Sequence, residues 1–254
     1  MSANAIGVGL ERLRLQYLDA DAATLEQLTL NITAGQWTVL LGRSGCGKTT
    51  LLRYLAGLLS DKVAVSGKLQ VSDGHGLEHR IAYMAQQDLL MPWLSVLDNV
   101  CLSQRFSDRH KEVTVTQSRE AAIQLLEKVG LAQYSQAMPS QLSGGMRQRV
   151  ALARTLMQDK PLVLMDEPFS ALDAVTRYKL QNLSAQLLQG KTVVLITHDP
   201  QEAVRLANEL YVLQGSPASA LKLAVPATQT PRQLDTECAQ IQQSILDQLE
   251  RDYD

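Results

Sequence analysis

An α/β fold with a mainly parallel core sheet is expected from this chain on three grounds. Residues 38–41, 162–165 and 192–196 are short runs, apolar throughout but for the leading Thr38 and Thr192, the mark of strands buried on both faces. Segments with helical spacing lie between them, which makes the strands parts of crossover units. A glycine-rich run, residues 42–49, separates the first of these strands from the helix that follows.

From the N-terminus, Leu13, Leu15 and Tyr17 alternate with polar residues, as do Leu28, Leu30 and Ile32, so the first third reads as strands. Ala34-Gly35 makes a turn before the strand at 38–41. A helix from about residue 49 to 59 follows the glycine-rich loop, and 68–71 and 80–84 are further strands. Between about 88 and 142 strand signals vanish and apolar residues recur at helical spacing (Ala121, Leu125, Val129; Ile123, Leu126), which reads as a mostly helical insertion. A helix at 144–158, the strand at 162–165, a helix at 175–188 and the strand at 192–196 continue the alternation. The tail from about 217 opens on a loop-like Ser-Pro-Ala-Ser and closes in a helix. Leu234, Cys238, Ile241, Ile245 and Leu249 share one face of that helix, expected to pack on its own domain rather than to form a partner-binding seam.

With 254 residues, 45% hydrophobic and 20% charged, the chain has the make-up of a globular protein with a sizeable core. A formal charge of -2 and a pI near 6.1 argue against attachment to nucleic acid by bulk electrostatics, which usually needs a basic excess. Cys46, Cys101 and Cys238 are scattered and form no CxxC pair, so neither a disulfide framework nor a zinc site is expected, and a reducing compartment is. No apolar run approaches the roughly 20 residues of a membrane helix, and the N-terminus lacks a signal-peptide pattern. Work at a membrane is therefore expected to go through a partner.

Two motifs carry the chemistry. Gly42-Arg43-Ser44-Gly45-Cys46-Gly47-Lys48-Thr49 fits the Walker A pattern in full and lies between a buried strand and a helix. Its glycines let backbone N–H groups converge on phosphates, and the helix N-terminus adds its positive dipole end. Lys48 is placed to reach the β- and γ-phosphates and the Thr49 hydroxyl to bind Mg²⁺. Cys46 fills a free position of the motif and reads as a small residue that fits, not as a redox switch. Farther on, Leu162-Val163-Leu164-Met165-Asp166-Glu167 is an apolar strand ending in two acids, at the sheet edge where open α/β folds bind ligands. Asp166 is expected in the Mg²⁺ shell, and Glu167 is expected to orient and polarise the attacking water.

Leu142-Ser143-Gly144-Gly145-Met146-Arg147-Gln148-Arg149 resembles the LSGGQ signature of ABC ATPases, with Met146 in place of the usual glutamine. A Ser-Gly-Gly turn at a helix start offers hydroxyl and amide donors to an anion. With the three motifs in order, the chain is similar to the ABC family over roughly residues 10–214. The resemblance implies a P-loop NTPase of the ABC type, with an N-terminal antiparallel β subdomain and a helical insertion subdomain. It implies a single nucleotide-binding domain over 1–254: a RecA-like core with the β subdomain at 1–87 and 159–215, a helical subdomain with the signature at 88–158, and a strand/helix tail at 216–254.

The resemblance also assigns residues. It implies an ATP site formed by Tyr17, which stacks on adenine, with Gly42, Ser44, Gly45, Cys46, Gly47, Lys48, Thr49 and Thr50. Ser143, Gly144, Gly145 and Asp173 of a second copy complete that site in trans. Glu167, His198, Lys48 and Gln86 are the implied catalytic group, and Thr49, Gln86 and Asp166 the implied Mg²⁺ ligands. Gln86 matches the glutamine that senses the cation and the permease, with Gln87 beside it as the alternative register. Ser170-Ala171-Leu172-Asp173 matches the segment linking two active sites, and His198 the histidine contacting the γ-phosphate.

The segments 88–100 and 166–177 look like importers of nitrate, sulfonates, taurine and thiamine pyrimidine precursors such as hydroxymethylpyrimidine, whereas Met84-Ala85 departs from those relatives. The implied protein is an ATPase at the cytoplasmic face of the inner (plasma) membrane, peripheral through two permease subunits. An extracytoplasmic solute-binding protein serves the permease, the ATP-bound chain is a homodimer, and nucleic acid is not a partner. The alternative, a soluble ABC-type ATPase acting on nucleic acid or ribosome, is disfavoured. Only about 55 residues separate Gln86 from Leu142, with no sustained heptads for a long coiled coil. A GTPase is disfavoured by the absence of an NKxD motif, and a small-molecule kinase by the signature itself.

Overall fold

A computed structural model of the chain describes residues 5–106 and 115–251. β1 (Val8–Tyr17) and β2 (Leu25–Ile32) pair antiparallel, and after β3 (Trp37–Leu41) and α1 (Lys48–Leu55) the chain returns as β4 (Val63–Val71) on the other side of β1. The inward set of β2 is Leu28, Leu30 and Ile32, the period-2 pattern of a strand with one wet face, and Leu25, which joins it across an irregularity where Gln27 has a φ of 52°. β4 begins five residues earlier than its apolar stretch from 68 indicates. Residues 64–68 are exposed and have no hydrophobic signature; their pairing with β1 supplies what the side chains do not.

The second sheet has the order β5-β6-β7-β3-β8-β9, with β5 (Ile81–Met84), β6 (Leu162–Asp166), β7 (Thr192–Ile196), β8 (Glu209–Gln214) and β9 (Ser219–Leu223). Its pairings are parallel except β8 with β9. Every residue of β3, β6 and β7 is buried, and alternate residues serve opposite faces. Val39, Leu41, Val163, Met165, Val193 and Leu195 join the core beneath the helices. Leu40, Leu162, Leu164, Val194 and Ile196 meet α1 and the antiparallel sheet, including Leu13, Leu28 and Leu52. A strand with both faces covered cannot alternate in polarity, hence the continuous apolar runs. Each such side chain contributes about 1.5–3 kcal/mol of burial.

α1 stops at 55, short of the expected 59, because Gly57 takes a left-handed φ of 73°. Its N–H then bonds the Tyr54 carbonyl and Leu58 N–H the Arg53 carbonyl, at 3.0 and 2.9 Å. This is the Schellman closure that glycine makes cheaply.

The insertion is helical, with α2 (Val96–Val100) followed by a 3₁₀ turn at Leu102–Phe106, and α3 (Val115–Lys128) and α4 (Gly144–Leu156) joined through short 3₁₀ turns at Ala132–Tyr134 and Pro139–Gln141. Its inward stripe is turned by about one residue from the expected one. Ala122, Leu126 and Val129 are buried, Leu125 is partly buried, and Ala121 and Ile123 face out. Asn99 on α2 is fully buried. Its amide donates to the carbonyls of Met91, Leu94 and Ser95, each at 3.1 Å, and its Oδ1 accepts from Met91 N–H at 2.8 Å. This tie holds the loop that precedes α2 onto the helix.

α5 (Ala174–Leu187) and α6 (Pro200–Leu206) flank β7, and α7 (Thr236–Arg251) packs on α6. Cys238 and Ile245 are buried, and Ile241 and Leu249 pack against the same core, so this face lies on its own domain. Leu234 departs from the expected stripe: it precedes the helix and is exposed. Leading into α7, the buried Arg232 guanidinium donates to the carbonyls of Val204, Ala207 and Pro226 at 2.8, 2.6 and 2.5 Å. It thereby closes the C-terminal end of α6. Cys46, Cys101 and Cys238 are buried thiols, and none is in a disulfide among the described residues. No helix among the described residues is long and apolar enough to cross a membrane.

Asn99→Ala should cost on the order of 1–3 kcal/mol in urea unfolding, since the Leu94 carbonyl and the Met91 N–H lose their partner, while the Met91 and Ser95 carbonyls keep the N–H groups of Leu94 and Asn99. A loss below about 0.5 kcal/mol would show that water replaces the tie.

Candidate active site

Four neighbouring parallel strands deliver the predicted residues to one edge. The glycine-rich loop follows β3, Gln86 follows β5, Asp166 and Glu167 close β6, and His198 follows β7. The loop turns on glycines that nothing larger could replace. A Cβ on Gly42 would lie 2.4 Å from the Leu213 carbonyl oxygen, and one on Gly47 2.7 Å from Leu25 Cδ2. Both residues have positive φ, 148° and 102°, which favours glycine. Gly47 starts α1 with no side-chain cap, so the first amides of the helix are left for an external acceptor.

Lys48 is buried, its Nζ donating to the carbonyls of Gly42 and Arg43 at 2.7 and 2.8 Å and lying 3.7 Å from Cys46 Sγ. The ammonium is thus drawn into the ring of the loop. Ser44 and Gly45 are exposed, on a cavity of about 290 Å³ also lined by Ala23, Thr24, Arg43 and Cys46. A cavity of about 450 Å³ between Ser103, Gln117 and Gln158 touches none of these residues and has no part in this chemistry. Tyr17, at the end of β1, comes to the same helix, its hydroxyl 3.4 Å from Thr50 Oγ1.

The two acids of β6 have different surroundings. Thr49 Oγ1 donates to Asp166 Oδ2 at 2.8 Å. Burial pushes the Asp166 carboxyl above the usual carboxylate range. The Glu167 charge adds to that shift, against the Thr49 hydrogen bond and the positive charges of Arg53 and Lys48. Glu167 takes a left-handed φ of 49°, a conformation costing a non-glycine residue on the order of 1 kcal/mol, and its N–H is tied to the Ile196 carbonyl at 3.0 Å. Its Oε2 is engaged by Gln86 Nε2 at 3.4 Å and His198 Nδ1 at 3.0 Å. Both contacts fall on the same carboxylate oxygen. His198 is 64% exposed.

The Ser-Gly-Gly turn forms a separate surface. Ser143 caps α4, accepting from Met146 N–H at 3.3 Å, and Ser143 and Gly144 are exposed. A Cβ on Gly145 would lie 3.4 Å from Leu172 Cδ2, so the turn rests on the segment leading to Asp173. Asp173 caps α5, and hydrogen bonds from Thr176 lower its carboxyl pKa.

Several contacts at the site escape motif reading. Arg147 Nε pairs with Asp88 Oδ2 at 2.9 Å, and Arg154 donates to the carbonyls of Leu89 and Asp88 at 2.8 and 2.6 Å. Both bind α4 to the segment just after Gln86. Arg177 bridges Leu172 and Asp199. Arg147, Arg154 and Arg177 share one helix each with motif residues, but spacing alone gives no sign of their acceptors.

A nucleoside triphosphate and a divalent cation fit these groups. The uncapped helix start and the Lys48 ammonium suit phosphate oxygens. A buried carboxylate beside a hydroxyl suits a hard cation that shares its shell with phosphates.

The ABC transporter family model matches residues 25–170. The chain is 46% identical over 228 residues to an uncharacterized ABC transporter ATP-binding protein of Haemophilus influenzae, covering 88% of this chain and 91% of that protein. It is 40% identical over 236 residues to the aliphatic sulfonates import ATP-binding protein SsuB 1 of Paracoccus denitrificans, covering 92% and 91%. It is 40% identical over 241 residues to the taurine import ATP-binding protein TauB of Pseudomonas aeruginosa, covering 89% and 88%. Among solved structures, the dimeric post-hydrolysis state of the ATP-binding cassette MJ0796 bound to ADP and Pi is similar with a TM-score of 0.77. It is 29% identical, covering 87% of this chain and all of that one.

The raised pKa of Asp166 has a sign in stability. Between the ordinary carboxylate pKa and the raised one, the native state holds more protons than the unfolded state, so stability falls as pH rises through that interval. Without nucleotide or divalent cation, Asp166→Asn should therefore gain on the wild type in urea unfolding as pH goes from about 4 to 7. A flat or opposite trend would mean that the carboxylate is well solvated.

Proposed function

The chain belongs to the ABC transporter family as an ATP-binding subunit, and on that premise we propose that it hydrolyses Mg-ATP to energise import of a small polar anion or zwitterion of the sulfonate or taurine kind. The observation that carries the hydrolytic assignment is the placement of Glu167. One carboxylate oxygen is held by Gln86 and His198, and the adjoining Asp166 bonds Thr49 of the phosphate loop.

ATP lies on residues 42–50, with its phosphates at the start of α1 and its base against Tyr17. Lys48 exchanges the loop carbonyls for phosphate oxygens, which are stronger, charge-assisted acceptors. Mg²⁺, held by Thr49, Asp166 and Gln86, supplies charge neutralisation to the phosphates. Glu167 orients a water for in-line attack on the γ-phosphorus and takes its proton, while the bond to the β–γ bridging oxygen breaks to give ADP and phosphate. His198 holds the γ-phosphate and keeps Glu167 in place.

Ser143, Gly144 and Gly145 act in trans on the ATP of a second copy, as does Asp173. Support comes from the exposure of Ser143, Gly144 and Asp173 and from the packing of Gly145 beside Leu172, which builds both segments into one outward surface. The dimeric cassette among similar structures agrees with such an assembly. The chain works peripherally at the cytoplasmic face of the inner membrane, beneath two permease subunits fed by an extracytoplasmic solute-binding protein. Trp93 and Leu89, 70% and 54% exposed, offer the permease an apolar surface close to Gln86. Arg147 and Arg154 would pass its movement to α4 and the signature turn. The substrate class rests on the import functions in the names of the relatives at 40% identity.

Glu167→Gln is expected to cut ATP turnover by about 10²–10⁴-fold and to leave a dimer on gel filtration with ATP. A monomer under those conditions contradicts the scheme. Ser143→Arg should keep nucleotide binding and lose turnover, and normal hydrolysis would remove the trans role. With permease and solute-binding protein co-purified, taurine or an alkanesulfonate should stimulate hydrolysis several-fold; no response to either would redirect the substrate assignment.

A further inference from the structure

Between the outward surface and the hydrolytic pair stands one side chain that no motif role uses. Arg177 lies one turn into α5. Its Nη2 donates to the Leu172 carbonyl at 3.0 Å, and its Nη1 pairs with Asp199 Oδ2 at 3.3 Å. Leu172 is the residue against which Gly145 of the signature turn rests, and its carbonyl directly precedes Asp173. Asp199 directly follows His198.

Asp199 is more than a counter-ion. Its Oδ1 accepts from the N–H groups of Gln201 and Glu202 at 2.9 and 3.4 Å, starting α6, and its own N–H donates to Thr197 Oγ1 at 3.1 Å. His198 therefore sits in a backbone clamped on both sides, while its exposed ring contacts Glu167. The ring's position depends on that clamp, and Arg177 joins the clamp to Leu172. An ion pair about a third exposed to solvent adds little to stability, and Arg177 Nε is buried with no hydrogen-bond partner among the described residues. Its geometry serves the two acceptors at the expense of its own satisfaction.

We infer that Arg177 is a positioning residue, a strut that makes the His198–Glu167 geometry depend on how the Leu172–Asp173 segment is seated by the partner copy. This rests on the catalytic reading of Glu167 and His198 given above. When the partner engages Asp173 and the signature turn, displacement of the Leu172 carbonyl pulls on Arg177, then on Asp199 and the backbone that carries His198. Hydrolysis in one site thereby registers closure at the dimer interface.

The test is steady-state hydrolysis by the full chain. Arg177→Ala and Asp199→Asn should each lower kcat roughly 10–100-fold, the scale on which small misplacements of reacting groups act. KM for ATP should stay within about twofold, and the melting temperature within about 4 °C of the wild type. The double variant should be no slower than the slower single one, since both cut the same strut. Arg177→Lys, which offers one ammonium for two acceptors, should recover only part of the rate. A kcat within about twofold of wild type in either single variant, an additive double variant, or a loss confined to KM would overturn the strut. Should Arg177→Ala fail to fold, Asp199→Asn, which keeps the Oδ1 cap, decides alone. Glu167→Gln is run alongside: a dead Glu167→Gln with a normal Arg177→Ala refutes the strut only. A fully active Glu167→Gln removes the catalytic reading and the strut together.

Discussion

Burial of β3, β6 and β7 on both faces is the constraint from which the rest follows. A strand whose alternate residues enter two separate cores can neither slip by one residue nor tilt without exposing apolar surface on both sides. Its last residue is therefore fixed in space, and the chain uses those ends. The phosphate loop, the paired acids and the histidine each begin where a locked strand stops. Parallel pairing brings these ends to one edge of the sheet. The antiparallel sheet adds Tyr17 from the side, through a strand that packs on the other face of the same core.

What the rigid strands hold is locally unfavourable. Asp166 is an acid driven toward its neutral form by burial, and Glu167 adopts a backbone conformation better suited to glycine. Neither would persist in a loosely packed loop. The Glu167 N–H to Ile196 bond and the β6–β7 pairing make the strained geometry the only one available. Such local frustration is common where a site is built for a ligand and not for the empty fold. The two acids, adjacent in sequence, are thereby separated in role: one faces the hydroxyl of the phosphate loop, the other the histidine.

The parallel core was legible because double burial leaves an unmistakable run of apolar residues. The loop after β3 was legible because only glycine tolerates its close approaches. α6 and β8 were not: seven and six residues are too few to show a period, and Pro200 with Asp199 before it reads equally as a turn. The stripe on α3 was misjudged by about one residue because Leu125 and Leu126 both look inward in sequence, and only packing against α2 and α4 chooses between them. The resemblance assigns Gln86, with Gln87 beside it as the alternative register; the structure brings Gln86 to Glu167. Contacts such as Arg147 with Asp88, or Arg177 with Leu172, join residues far apart in the chain or use backbone acceptors. A sequence records neither.

Arg232 bears on any attempt to shorten the protein. Its guanidinium fills a buried site made of carbonyls from α6 and from residue 226, so α7 and the stretch before it are part of how α6 ends. Trimming the chain ahead of residue 232 would strip donors from the Val204 and Ala207 carbonyls, at about 1–3 kcal/mol for each group left without a partner. The helix so weakened is the one whose opposite end carries Asp199. A minimal cassette that looked complete by motif inventory would thus be frayed directly behind its own histidine.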